Sequence, residues 1–182
     1  MKLIEHQDEF KTGTRVLMLK GRNKDGVLRQ NQRTISLISH SESEFDKHLN
    51  TLLNLQCFGE RIYASAGERS VAKASRIFRE RQLASEYDDF PAEFYRKLHD
   101  RWVSCLMSPQ SQDKKVWLFD WDQDSKRPYS DLYAMVNALS KIIHTYETKN
   151  GRHILTHPFD KSTLSSIDRM HLHENALMLW GY

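Results

Sequence analysis

Apolar and polar positions alternate with a period of two in several short stretches of the chain and with a helical period between them. TRVLMLKG and RTISLISH, near the ends of residues 14–40, are rich in β-branched and apolar residues. They flank the charged, turn-like GRNKDGVLRQNQ, which predicts a hairpin with a long tip. Phe45, Leu49, Leu52 and Leu53 then recur at helical spacing, with Ser43 expected as the cap and Glu44 in the first turn. A short strand at RIYASAG, a helix through RSVAKASRIFRER and an aromatic amphipathic helix from about Pro91 to Met107 complete an N-terminal α/β half, residues 1–110. SPQSQDKK reads as a surface loop and as the boundary between the two halves of the chain.

The C-terminal half, residues 115–182, has the clearer pattern. Val116 to Asp122 predicts a strand, and Ser130 is the expected cap of a helix through DLYAMVNALSKII. HTYET and RHILTHPF predict two strands joined at Asn150-Gly151, a pair that tolerates the positive φ of a tight hairpin turn. A short helix near Lys161 to Asp168 precedes a last strand, ALMLWGY. The resulting order, βαββαβ, builds an antiparallel sheet with helices on one face and leaves the other face for a site. The expected class is α+β, with both halves in one compact domain.

Composition narrows the function classes. With 182 residues, 39% hydrophobic and 28% charged, the chain has the makeup of a globular protein able to bury a core without disulfides. No apolar run approaches the roughly 20 residues of a bilayer span, and MKLIEHQDEF has no signal-peptide apolar region, so a cytoplasmic location is expected. Cys57 and Cys105 lack ligand-like spacing and read as reduced thiols. The net charge of +3 permits an anionic partner. Arg69, Lys73 and Arg76 fall at i, i+4 and i+7, a basic ridge that serves either as a solvated helix face or, with Arg61, as a surface tracking the backbone of DNA or RNA.

The sharpest chemical signal is VWLFDWDQD. Alternation along the strand sends Val116, Leu118, Asp120, Asp122 and Asp124 to one face and Trp117, Phe119 and Trp121 to the other, where the aromatics form the core. Burying an ionised carboxylate costs several kcal/mol or more without a cation or hydrogen bonds to receive it. Asp120 and Asp122 projecting together suit Mg2+ or Mn2+, which take hard oxygen ligands. Alternatively the same acids sit at a solvated strand end or pair with Lys114, Lys126 or Arg127. A two-residue Asn150-Gly151 loop sets Thr148 opposite His153 and brings His153 to the surface that carries the acids, where its ring would donate to a nucleotide phosphate.

These residues carry a family resemblance. LFDWD resembles motif I of the archaeo-eukaryotic primase superfamily, hydrophobic residues followed by Asp-x-Asp, and TKNGRHIL resembles its motif II, a polar turn followed by a Gly-x-His strand. The motifs stand in the family's order, over about 65 residues from Val116 to Trp180. The resemblance implies an RRM-like βαββαβ catalytic unit with Asp120 and Asp122 as metal ligands and His153 as the contact to a nucleoside triphosphate. Arg152, Lys149 and Thr148 are the nearby nucleotide-binding candidates. It also implies a third catalytic and metal-binding acid near the last strand, for which Asp168 stands ahead of Glu174. So short a chain suggests a minimal catalytic core of the phage or plasmid kind.

The leading expectation is a metal-dependent nucleotidyltransferase acting on nucleoside triphosphates and DNA or RNA. Two alternatives remain open on sequence: a phosphodiesterase or nuclease using the same metal geometry with water as nucleophile, and a non-catalytic module that binds nucleic acid or a host factor.

Overall fold

A computed structural model describes residues 2–21, 33–84, 96–125 and 127–182. The chain divides into two compact units, one running to Lys114 and also taking in Leu177–Tyr182, the other spanning Lys115–Ala176. No helix among the described residues is long and apolar enough to cross a membrane.

In the first unit, β1 (Arg15–Gly21) pairs antiparallel with β2 (Thr34–Ser39), as the apolar pattern predicts, with Lys20 opposite Thr34. The expected hairpin tip lies outside the described residues. So does the expected start of the aromatic helix at Pro91. After β2 come α1 (Glu42–Leu55), β3 (Glu60–Ser65), α2 (Val71–Ala84) and α3 (Leu98–Leu106). Val16 and Leu17 are consecutive, point to opposite faces and are both fully buried, so β1 is covered on both sides. On one side Val16 joins Ala74 and Ile77 of α2 and Val103 and Leu106 of α3 in an apolar cluster.

The cap of α1 is Ser41 rather than the expected Ser43. Its hydroxyl accepts from the Glu44 amide at 3.3 Å, while Glu44 reaches back to the His40 amide at 2.7 Å. This reciprocal pairing, close to a capping box, satisfies two amides where Ser43 would satisfy one. SPQSQDKK is less superficial than expected: Pro109–Ser111 form a 3-10 turn, and Ser111 and Gln112 are buried.

The second unit holds β4 (Trp117–Asp122), α4 (Tyr129–Leu139), β5 (Ile142–Glu147), β6 (Gly151–Thr156), α5 (Ser166–Met170) and β7 (Leu172–His173). Its sheet runs β5-β6-β4-β7, antiparallel throughout. Phe119 and Ile154 pack against Leu132 and Val136 of α4 and against Leu164, forming the core of this unit. Ser130 does not cap α4. Pro128 stands at the cap position with its carbonyl accepting from Asp131 and Leu132, and the Ser130 hydroxyl donates to the Asp131 carboxylate. Ile142 and Ile143, read as the helix end, belong to β5, in keeping with the strand preference of β-branched residues.

The last strand is the main departure from the expected topology. β8 (Leu177–Gly181) does not join the sheet of β4; it pairs antiparallel with β3 and completes the order β2-β1-β3-β8. The fourth place beside β4 goes to the two-residue β7. Met178, Leu179 and Trp180 are all buried, so consecutive residues are covered on both faces of β8. On its outer side the N-terminal chain adds hydrogen bonds between Ile4 and Trp180 and between Lys2 and Tyr182. The fold is therefore mixed α+β with two antiparallel sheets.

Candidate active site on the second sheet

The local sequence of β4 sorts its side chains by face. Phe119 is fully buried in the cluster against α4, and the Trp121 indole donates to the Arg127 carbonyl at 2.8 Å. Leu118, Asp120 and Asp122 therefore occupy the opposite face. Across the antiparallel ladder, Leu118 faces Leu155, Asp120 faces His153 and Asp122 faces Gly151. One strand further, His144 lies opposite Leu155 and Tyr146 opposite His153. This face is apolar at one end, where Leu118 and Leu155 are buried, and polar at the other.

At the polar end His153 bridges two groups. Its Nε2 lies 3.0 Å from Asp120 Oδ1, and its Nδ1 lies 2.6 Å from the Tyr146 hydroxyl. The Tyr146 ring is buried, meets the His153 ring edge-on at 4.9 Å and stacks with His144 at 5.8 Å. The His153 side chain is 12% exposed and that of Asp120 39%, so the imidazole is fixed by protein while the carboxylate still reaches solvent. Asp122, one pleat further along, is exposed. His153 thus meets Asp120 across the ladder, and Asp122 shares their sheet face.

The other expected site residues are placed differently. Arg152 pairs with Trp121 and so shares the helix-covered face, with its guanidinium 4.8 Å above the Tyr129 ring and its Nη2 2.7 Å from Glu147. Burial pushes the Tyr129 phenol up, against the opposing charge of Arg152. Lys149 is exposed in the turn of the hairpin. The turn is centred on Lys149-Asn150, because the Thr148 amide bonds to the Gly151 carbonyl at 2.9 Å. Tyr146, rather than the expected Thr148, therefore stands opposite His153.

Asp168 is committed elsewhere. It lies in the first turn of α5, where Ser165 accepts from its amide at 3.1 Å and donates to its Oδ2 at 2.6 Å, and Arg127 pairs with its Oδ1. Arg127 also reaches the Met135 sulfur of α4 at 3.4 Å, which sets Asp168 on the helix side of the sheet. Glu174, the other candidate, pairs with Lys161. Of the cations considered for Asp120 and Asp122, Arg127 thus serves Asp168, Lys114 lies 3.9 Å from Glu68, and Lys126 lies outside the described residues. Among the described residues, no group of three or more His, Cys, Asp or Glu side chains gathers to hold a metal ion.

The basic ridge breaks up in three dimensions. Arg69 precedes α2 and is 1% exposed; Lys73 pairs with Asp113 at 2.9 Å; Arg76 pairs with Glu80 at 2.9 Å. Arg61, in β3, is half-buried opposite Lys20. Tyr146, with His144 stacked on it, is a contributor that sequence reasoning passed over. The available signal was parity: moving a hairpin turn by one residue shifts every cross-strand partner by two and preserves its face, so Thr148 and Tyr146 were equivalent candidates.

No protein-family model, curated protein or solved structure matches this chain.

Proposed function

We propose that this protein is a metal-dependent nucleotidyltransferase of the primase-polymerase type. One observation carries the reading: Asp120 and Asp122 share a sheet face, with His153 directly across from Asp120 on the neighbouring antiparallel strand. The strand order β5-β6-β4-β7, which is second-third-first-fourth in order of appearance, supports an RRM-like arrangement of this unit. In that arrangement the Asp-x-Asp strand and the Gly-x-His strand lie side by side.

The donor set fits magnesium or manganese. Mg2+ in polymerase-like sites is held by one or two carboxylates together with substrate phosphates and water, and needs no all-protein cage. Asp120 and Asp122 supply those carboxylates, both with access to solvent. A bound ion would lower the pKa of the attacking 3′-hydroxyl and offset charge on the transferring phosphoryl group. In the reaction the 3′-hydroxyl would lose its proton to solvent water, its oxygen would form a bond to the α-phosphorus, the bond to the bridging oxygen would break and pyrophosphate would leave. His153 donates from Nε2 to a phosphate oxygen of the triphosphate, so its present contact with Asp120 marks where that donor points. Asp168 holds α5 in place through Arg127 and Ser165, leaving a two-carboxylate site.

The test is incubation of the protein with Mg2+ or Mn2+, labelled nucleotides and primed or unprimed templates. Extension is expected, with Asp120→Asn or Asp122→Asn lowering it by about 100-fold or more at unchanged circular dichroism. Shortening of the labelled strand would replace this reading with hydrolysis. Nucleic-acid binding without turnover, unaffected by both substitutions, would replace it with a non-catalytic module.

A further inference from the structure

We infer that Tyr146 is a positioning residue that fixes which nitrogen of His153 carries the proton; the inference rests on the nucleotidyltransferase reading for what that proton then does. Ionised Asp120 can only accept hydrogen bonds, so the nitrogen that faces it, Nε2, must be the protonated one. In the neutral ring Nδ1 is then a lone-pair acceptor, and the Tyr146 hydroxyl, 2.6 Å away, is its donor. Tyr146, His153 and Asp120 form a chain in which each hydrogen bond fixes the direction of the next.

The chain matters most when substrate arrives. Once Asp120 turns to a cation, its hold on Nε2 weakens, and the bond from Tyr146 to Nδ1 keeps the Nε2 proton aimed at the phosphate. Tyr146 suits this task because little of it can move. It is buried, its ring is packed against those of His144 and His153, and its place opposite His153 is set by the β5–β6 register. Orienting a ring through its second nitrogen is a general way of fixing a histidine tautomer.

The experiment uses the full chain. Long-range 1H–15N spectra, with His153 assigned by comparison with His153→Gln, are expected to show a single Nε2–H tautomer in the wild type. Tyr146→Phe keeps the ring packing and removes the hydroxyl. In that variant affinity for magnesium tripolyphosphate is expected to fall about three- to tenfold. With Asp120→Ala added, which removes the carboxylate's own hold on Nε2, both tautomers are expected, whereas Asp120→Ala alone keeps Nε2–H. Thermal melting separates this from unfolding, and the wild-type spectrum by itself decides the first step, since a proton on Nδ1 overturns the inference without any variant. Retention of the single tautomer when Tyr146→Phe is combined with Asp120→Ala, or of the wild-type affinity in Tyr146→Phe alone, also overturns it. A wild type that cannot extend or join nucleotides, with a tautomer still governed by Tyr146, would instead defeat the polymerase reading and leave the positioning role standing.

Discussion

A Cβ added at Gly151 would lie 1.9 Å from the Trp121 carbonyl oxygen, so only glycine lets β6 approach β4 closely enough to put His153 opposite Asp120. Sequence reasoning valued this glycine for positive φ in a turn, but the described glycines with positive φ are Gly13 and Gly59, and Gly151 is needed for strand contact. Gly151→Ala is expected to destabilise the protein by about 1–3 kcal/mol, the usual cost of forcing an extra carbon into a packed site. An unchanged urea midpoint would contradict that. Arg69 shows the opposite limit of single-residue reasoning. Spacing placed it on an exposed ridge, either a solvated helix face or a phosphate contact, yet burial first and the Arg15 charge second push its pKa down to about 10. Its Nη1 donates to the Ser108 carbonyl at 3.4 Å, while Nε and Nη2 find no hydrogen-bond partner among the described residues. Helical periodicity could not reveal this, because Arg69 stands two residues ahead of the helix whose period it seemed to share.

At the scale of elements, the strands bearing the site were legible because alternation is local: aromatics to one face of β4, carboxylates to the other. The element that misled was α5, whose acid matched a motif by position alone. Burial raises the Asp168 pKa, but the Ser165 hydroxyl and then Arg127 outweigh burial and hold the carboxyl below its usual range. A depressed folded-state value means stability that is fully present above the unfolded pKa of about 3.9 and is lost as pH falls through the folded one. At pH 7, Asp168→Asn should therefore cost about 1.5–3 kcal/mol in urea unfolding, the range for hydrogen bonds to a charged group. The gap from wild type should shrink below about pH 4. Equal gaps at pH 7 and pH 3 would rule out the ion pair as the source.

At the scale of the whole molecule, β8 is the element that topology reassigned. It buries Met178, Leu179 and Trp180, with Trp180 packed against Phe45 at 4.7 Å. Burial of each such side chain is worth about 1.5–3 kcal/mol, together a large part of the 5–15 kcal/mol that typically stabilises a domain. Ending the chain after Ala176 is thus expected to strip amide-exchange protection from β3 more than from β4. The reverse order would return β8 to the second sheet. The sequence by itself determined the α+β class, the strands other than the two-residue β7, most helices, and which face of β4 bears the acids, since all of these follow from side-chain periods of two and of about 3.6 within one segment. Only the tertiary structure decided that the last strand completes the first sheet, that Tyr146 meets His153, and that Asp168 and Arg69 are committed to the interior. Those outcomes depend on strand partners and turn registers far apart in the chain, and several pairings satisfy the same local pattern until packing selects one.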